Sequence, residues 1–172
     1  MKRHLVLLGL PGSGKTTAGR LAAALLDAPF VDIDDRIAQV EECSIPRIFA
    51  ERGEAAFRRL EREAVRGVLA GPPALVAPGG GWAAQPGNFE DVTGTAVTVY
   101  LVTAPEVATA RVGGHGGRPL LEGPDPLDRM KELLAAREVF YERAEARVPT
   151  DGRSPREVAE ALVALARSSA GW

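Results

Sequence analysis

Cysteine occurs only at Cys43, so no disulfide can form within the chain, and a reducing, cytoplasmic setting is the expectation. Lysine is nearly as scarce. Of 21 basic residues only Lys2, Lys15 and Lys131 are lysines. None lies in the Asn/Thr-Lys-x-Asp pattern that reads guanine, which argues against a GTPase. Long apolar runs are missing too. The start "MKRHLVLLGLPG" has about five apolar residues before it meets Gly and Pro, short of a secretory core and of the roughly 20 a span requires. A net charge of −2 gives no global pull towards nucleic acid or anionic membrane, so neither partner is expected. No internal repeat or linker divides the 172 residues, which predicts a single domain around one core. The remainder, 45% hydrophobic and 26% charged, is ordinary for a soluble chain.

Strand and helix patterns alternate. "HLVLLG" is continuously apolar, as in a strand covered on both faces. Ala18, Leu21, Ala22, Leu25 and Leu26 then repeat at helical spacing. "APFVDID" predicts a second strand. Residues 35–51 look helical with a break at Ser44-Ile45-Pro46, and 54–70 place Phe57, Leu60, Ala64, Val65, Val68 and Leu69 on one face. "ALVAPGGG" and "TAVTVYLV" predict strands three and four, followed by a helix over 105–112 and another over 127–143. "ARVPT" is a weak fifth strand whose Pro149 suits an edge. The last helix opens on the capping box Ser154-Pro155-Arg156-Glu157, and its apolar face is Val158, Ala161, Leu162, Leu165 and Ala166. This alternation implies an α/β fold with a parallel sheet, in which ligands bind beyond the carboxyl ends of the strands.

"GLPGSGKTT" matches the phosphate-loop pattern at Gly9, Gly14, Lys15 and Thr16, with a strand before it and a helix after it. Its glycines let backbone N–H groups surround an anion at a positive helix end, and Gly12, Ser13, Gly14, Lys15, Thr16 and Thr17 are the expected nucleotide contacts. Lys15 can reach the β- and γ-phosphates, and the Thr16 hydroxyl can ligate Mg²⁺. The length suits a small-molecule kinase using ATP.

The acceptor side begins in "FVDIDDRIAQV", where three carboxylates crowd the end of strand two. Asp32 is positioned to hold Mg²⁺ through water, facing Thr16. Asp34 either binds substrate hydroxyls and takes the proton of the attacking one, or caps the following helix, a role that suits Asp35. Arg58 follows the core residue Phe57, with Glu61 one turn later to orient it, while Arg59 and Arg62 are expected on the solvated face. Arg137 falls on the stripe Met130, Leu133, Leu134, Arg137, Tyr141, where charge is costly unless paired. Two such guanidiniums suit an anionic acceptor, although for Arg137 an internal ion pair or snorkelling remains open. "PGGG" at 78–81 lets a ligand touch backbone directly. "RVGGHGGRPLL" carries Arg118 in a glycine-rich segment of the kind a phosphoryl-transfer lid uses. His115 within it reads as incidental.

In combination, the phosphate loop, "FVDID", "SIPRIF", "GEAAFRRLE", "GGG", "RPLL" and "AAREVFY" resemble the shikimate kinase family over about residues 4–167. The resemblance implies transfer of the ATP γ-phosphate to the 3-hydroxyl of shikimate, with Mg²⁺, in aromatic amino acid biosynthesis by a cytoplasmic monomer. It implies a three-layer fold with a five-stranded parallel sheet in the order 2-3-1-4-5, acceptor-binding helices over about 34–62 and a lid over about 112–124. By motif, Asp34 would hold shikimate hydroxyls and act as base, Arg58 and Arg137 would clamp the carboxylate, and Gly80 and Gly81 would lie against the substrate. Arg118 would bridge nucleotide and substrate, and Arg111 and Pro155 would sandwich adenine. Three positions depart from the pattern. Pro78 replaces a usual Ser or Thr, Trp82 a usual small residue that either narrows the acceptor pocket or packs outward, and "QVEECSI" is unusually acidic. Rival readings are a gluconate-type kinase, which shares fold and loop, and a nucleotide-binding module whose catalysis has decayed.

Overall fold

The computed structural model describes residues 1–113 and 125–172. The sheet has five strands, β1 His4–Leu8, β2 Phe30–Asp32, β3 Leu75–Ala77, β4 Ala96–Val102 and β5 Ala146–Pro149. They pair parallel in the expected order β2-β3-β1-β4-β5. The helices are α1 Lys15–Leu25, α2 Ile33–Glu41, α3 Ile45–Leu69, α4 Asn88–Val92, α5 Pro105–Val112, α6 Pro126–Tyr141 and α7 Pro155–Ser169. β1 takes the centre because it is apolar on both faces. Leu5 and Leu7 join α1 and α7 on one side, and Val6 and Leu8 join α3 and α6 on the other, as the two-residue period of a strand requires. β5 pairs only with β4, so Pro149 does sit on an edge.

The face of α1 differs from the sequence expectation. Ala18, Gly19, Ala22 and Ala23 are buried, whereas Leu21 and Leu25 are exposed. The cause is close approach: a Cβ on Gly19 would stand 2.5 Å from the Phe30 ring and 2.9 Å from Leu7. Only the small-residue stripe lets the helix lie so near the sheet. On α7 the buried face turns slightly, to Val158, Ala159, Leu162, Val163 and Ala166. Its capping box forms as expected, with the Ser154 side chain and the Glu157 carboxylate each taking the other's backbone N–H.

Between β2 and β3, α2 is capped by Asp32, whose carboxylate accepts from the Asp35 N–H at 3.2 Å; Asp34 and Asp35 lie in the first turn. The expected cap, Asp35, is therefore the capped residue. Ser44 caps α3 through the Arg47 N–H, and α3 is two helical segments joined across a kink at the non-helical Gly53 (φ 81°), as the separate patterns on either side of residue 53 foresaw. Arg59 is exposed, but Arg62 is not simply solvated: with Arg66 it grips Asp91, and these guanidiniums hold that carboxyl well below the usual range. The polar stretch after the glycines holds a 3-10 turn at Trp82–Ala84 and then α4. Trp82 neither narrows the acceptor cleft nor packs outward. It is fully buried against Phe89, with ring centroids 6.1 Å apart. No helix among the described residues is long and apolar enough to cross a membrane.

His4 fastens the start of β1. It is 4% exposed, and its Nδ1 accepts from the Ala74 N–H at 3.1 Å. Burial lowers its pKa below 6.5, and backbone hydrogen bonding to Leu69 and Gly71 pulls it only partway back. The unfolded chain therefore binds this proton first, and the contribution of His4 to stability, complete above the unfolded value, is lost as pH falls through the folded one. The denaturation midpoint is expected to drop between about pH 7 and pH 5, and His4→Gln, which cannot titrate, should flatten that slope. Equal slopes in the two proteins would remove His4 as the cause.

Candidate active site

The strand register places Asp32 beside Ala77 and Leu8 beside Tyr100, so the loops after β1, β2 and β3 leave the same edge. From β1 the chain turns through the phosphate loop into α1, whose N-cap is Gly14 at φ 87° and whose first turn has no acidic residue. No acidic residue of the helix itself offsets its positive end. The Lys15 ammonium donates to the carbonyls of Gly9 at 2.7 Å and Leu10 at 2.9 Å and to the Ser13 hydroxyl at 3.3 Å. Gly12, Gly14, Lys15, Thr16 and Thr17 line a cleft of about 420 Å³; Asp32, Asp34, Pro78, Gly79 and Gly80 line it as well.

The Thr16 hydroxyl donates to the Asp32 carboxylate at 2.7 Å. A hydroxyl and a carboxylate side by side at a phosphate loop are hard oxygen donors, as Mg²⁺ prefers. Among the described residues no group of three or more His, Cys, Asp or Glu side chains forms a metal cage.

Arg58 and Arg137 reach the triglycine loop, of which Gly79 and Gly80 line the cleft. Arg58 has a side chain 10% exposed, tied to Glu61 at 2.9 Å and Glu54 at 3.2 Å. Glu61 is fully buried, and its second oxygen accepts from the Gly79 N–H at 2.9 Å. Burial pushes the Glu61 carboxyl up, opposed by the charge of Arg58, the Gly79 N–H and Arg137. Arg137 is 7% exposed, and its Nη1 stands 3.0 Å from where a Gly80 Cβ would be; a Gly81 Cβ would collide with the Arg58 guanidinium. Glycine at both positions lets the guanidiniums lie on the backbone. Asp34 is 3.5 Å from the corresponding point on Gly79, so the carboxylate, the glycines and both arginines form one constellation.

A second cavity, of about 270 Å³, shares Gly14, Thr17 and Arg111 with the first and continues to Ser13, Thr150, Arg153 and Pro155. Arg111 and Pro155 line it together. Arg111 also donates to the carbonyls of Gly12 and Thr150, each at 3.4 Å. Arg118, His115 and all of the expected lid except Val112 and Gly113 lie outside the described residues. Three features escaped the sequence reading: Arg153 in the second cavity, the Glu61 bond to Gly79, and the Tyr141 hydroxyl donating to the Gly80 carbonyl. Tyr141 had a usable signal, a polar tip four residues after Arg137 on the same buried stripe.

Comparison with known proteins agrees with this geometry. The family model for shikimate kinase matches residues 11–167. The chain is 43% identical over 158 residues to the shikimate kinase of Symbiobacterium thermophilum, covering 90% of this chain and 91% of that protein. It is 42% identical over 164 residues to that of Mycobacterium avium, covering 95% and 93%. The solved shikimate kinase from Acinetobacter baumannii in complex with shikimate superposes with a TM-score of 0.93 at 31% identity, over 98% of this chain and 94% of that one. A gluconokinase from Sinorhizobium meliloti reaches only 0.63 at 17% identity, over 99% and 94%, a likeness of fold alone.

Proposed function

The chain belongs to the shikimate kinase family, and we propose that it transfers the γ-phosphoryl group of ATP to the 3-hydroxyl of shikimate, giving shikimate 3-phosphate and ADP. The observation that carries this reading is that the phosphate loop and Asp34 line one cleft together with Gly79 and Gly80, while Arg137 and Arg58 lie against Gly80 and Gly81 of the same glycine run.

In this reading the α1 N-terminus, the loop residues Gly12 to Thr17 and the Lys15 charge hold the β- and γ-phosphates. Thr16 and Asp32 hold Mg²⁺, which when bound offsets charge on the phosphate oxygens. Arg58 and Arg137 receive the shikimate carboxylate, their planar forks suited to paired oxygens. Gly80 and Gly81 leave room for the ring against the backbone. With the acid group fixed there, the ring hydroxyls face Asp34, which accepts the proton of the 3-hydroxyl as that oxygen bonds to phosphorus and the bond to ADP breaks. Arg111 and Pro155 flank the adenine, and Arg118, from a lid over about 112–124, lays charge on the transferring group. The enzyme acts as a single-domain cytoplasmic monomer on a small molecule, without a nucleic-acid or membrane partner.

A screen of ADP release across polyhydroxylated acids tests this. Turnover that requires shikimate, with little on gluconate, is expected. Gluconate turned over as well as shikimate would move the chain to the other acceptor class. Nucleotide binding with no acceptor-dependent turnover would make it a binding module.

A further inference from the structure

We propose that Tyr141 is a positioning residue for the acceptor: its hydroxyl fixes the Gly80–Gly81 peptide so that the Gly81 N–H faces the shikimate carboxylate. The phenol donates to the Gly80 carbonyl, 61 residues away in sequence. A trans peptide is planar, so its C=O and the following N–H point in opposite directions, and anchoring one aims the other. The anchor matters here because glycines on both sides of the bond leave the flanking torsions soft.

The anchor itself is rigid. Tyr141 is fully buried and packed on Tyr100, with ring centroids 5.0 Å apart. It lies one helical turn after Arg137, so the same stretch of α6 presents a guanidinium beside Gly80 and a hydroxyl to the Gly80 carbonyl. Burial pushes the phenol up to about 12, so it remains a protonated donor across the working range of the enzyme. Glu61 performs the matching task two peptides earlier, at the Gly79 N–H of the Pro78–Gly79 unit. The triglycine loop is thus held from beneath at two points, one of them by Tyr141.

The inference rests on shikimate being the acceptor, and steady-state kinetics separate the two claims. For Tyr141→Phe, KM for shikimate is expected to rise about three- to tenfold, the loss of one hydrogen bond. kcat and the affinity for nucleotide alone should stay near the parent values, which also reports a folded cleft. Tyr100→Phe, which removes the hydroxyl of the stacked neighbour, should leave KM for shikimate unchanged. A Tyr141→Phe enzyme with a lower Tm but the parental KM would overturn the proposal, because the hydroxyl would then only support the core. An equal rise in both variants would overturn it as well. If the parent enzyme releases no ADP in response to shikimate, the acceptor assignment fails first and takes the positioning role with it.

Discussion

Lys15→Met is expected to lower kcat by at least about 10²- to 10³-fold, the cost of removing one preorganised charge from a phosphoryl-transfer site. Methionine has nearly the reach of lysine and fills the same space, so the change is chiefly electrostatic. The ammonium is held by the Gly9 and Leu10 carbonyls and the Ser13 hydroxyl, against the loop that lines the cleft. The backbone N–H groups of the loop remain in the variant, so nucleotide binding should weaken far less than turnover. Single-turnover measurement at saturating ATP and shikimate checks this. Near-normal rates would mean that the loop does not hold the transferring phosphate in the way described.

Arg58→Ala is expected to weaken shikimate binding by roughly 2–5 kcal/mol, the range for removing one member of a buried charged pair. Two terms add. The acceptor loses a planar fork, and Glu61, fully buried, keeps the Gly79 N–H but loses the guanidinium at 2.9 Å. The second term threatens the fold as well as the site, so Arg58→Lys is the necessary companion. It restores a charge near Glu61 without the fork and should recover stability more fully than affinity. Calorimetric titration with shikimate, beside denaturant unfolding of both variants, separates these terms. Unchanged shikimate affinity in Arg58→Ala would take the residue out of the carboxylate clamp.

Most of the architecture was legible because it rests on local patterns. The apolar run of β1, the phosphate loop directly after it and the capping box at Ser154 each specify structure within a few residues. The strand order was also read correctly, through the family resemblance rather than from periodicity. Two of the errors come from partners distant in sequence, and the α2 cap from a local junction. Leu21 and Leu25 had helical spacing, yet Phe30 and Leu7 leave room only for the small face of α1. Asp32 rather than Asp35 caps α2 because β2 ends one residue before the helix begins, leaving no loop between them. α4 has weak helical signals of its own and is held by Asp91 against Arg62 and Arg66 on α3. At the site, Asp34 stood out among crowded carboxylates at a strand end, and Arg58 and Arg137 as charges beside apolar positions. The role of Tyr141 did not, because its partner is a backbone carbonyl that no side-chain pattern reveals.

The central claim, that one strand edge brings a nucleotide triphosphate tail and a cyclic hydroxy acid together, is tested most directly by a crystal structure with shikimate and a non-hydrolysable ATP analogue. The account predicts the shikimate carboxylate between the Arg58 and Arg137 guanidiniums, with N···O distances of about 2.7–3.2 Å, and its 3-hydroxyl between Asp34 and the γ-phosphate. A carboxylate bound away from both guanidiniums, with the ring outside the Gly79–Gly81 cleft, would contradict it.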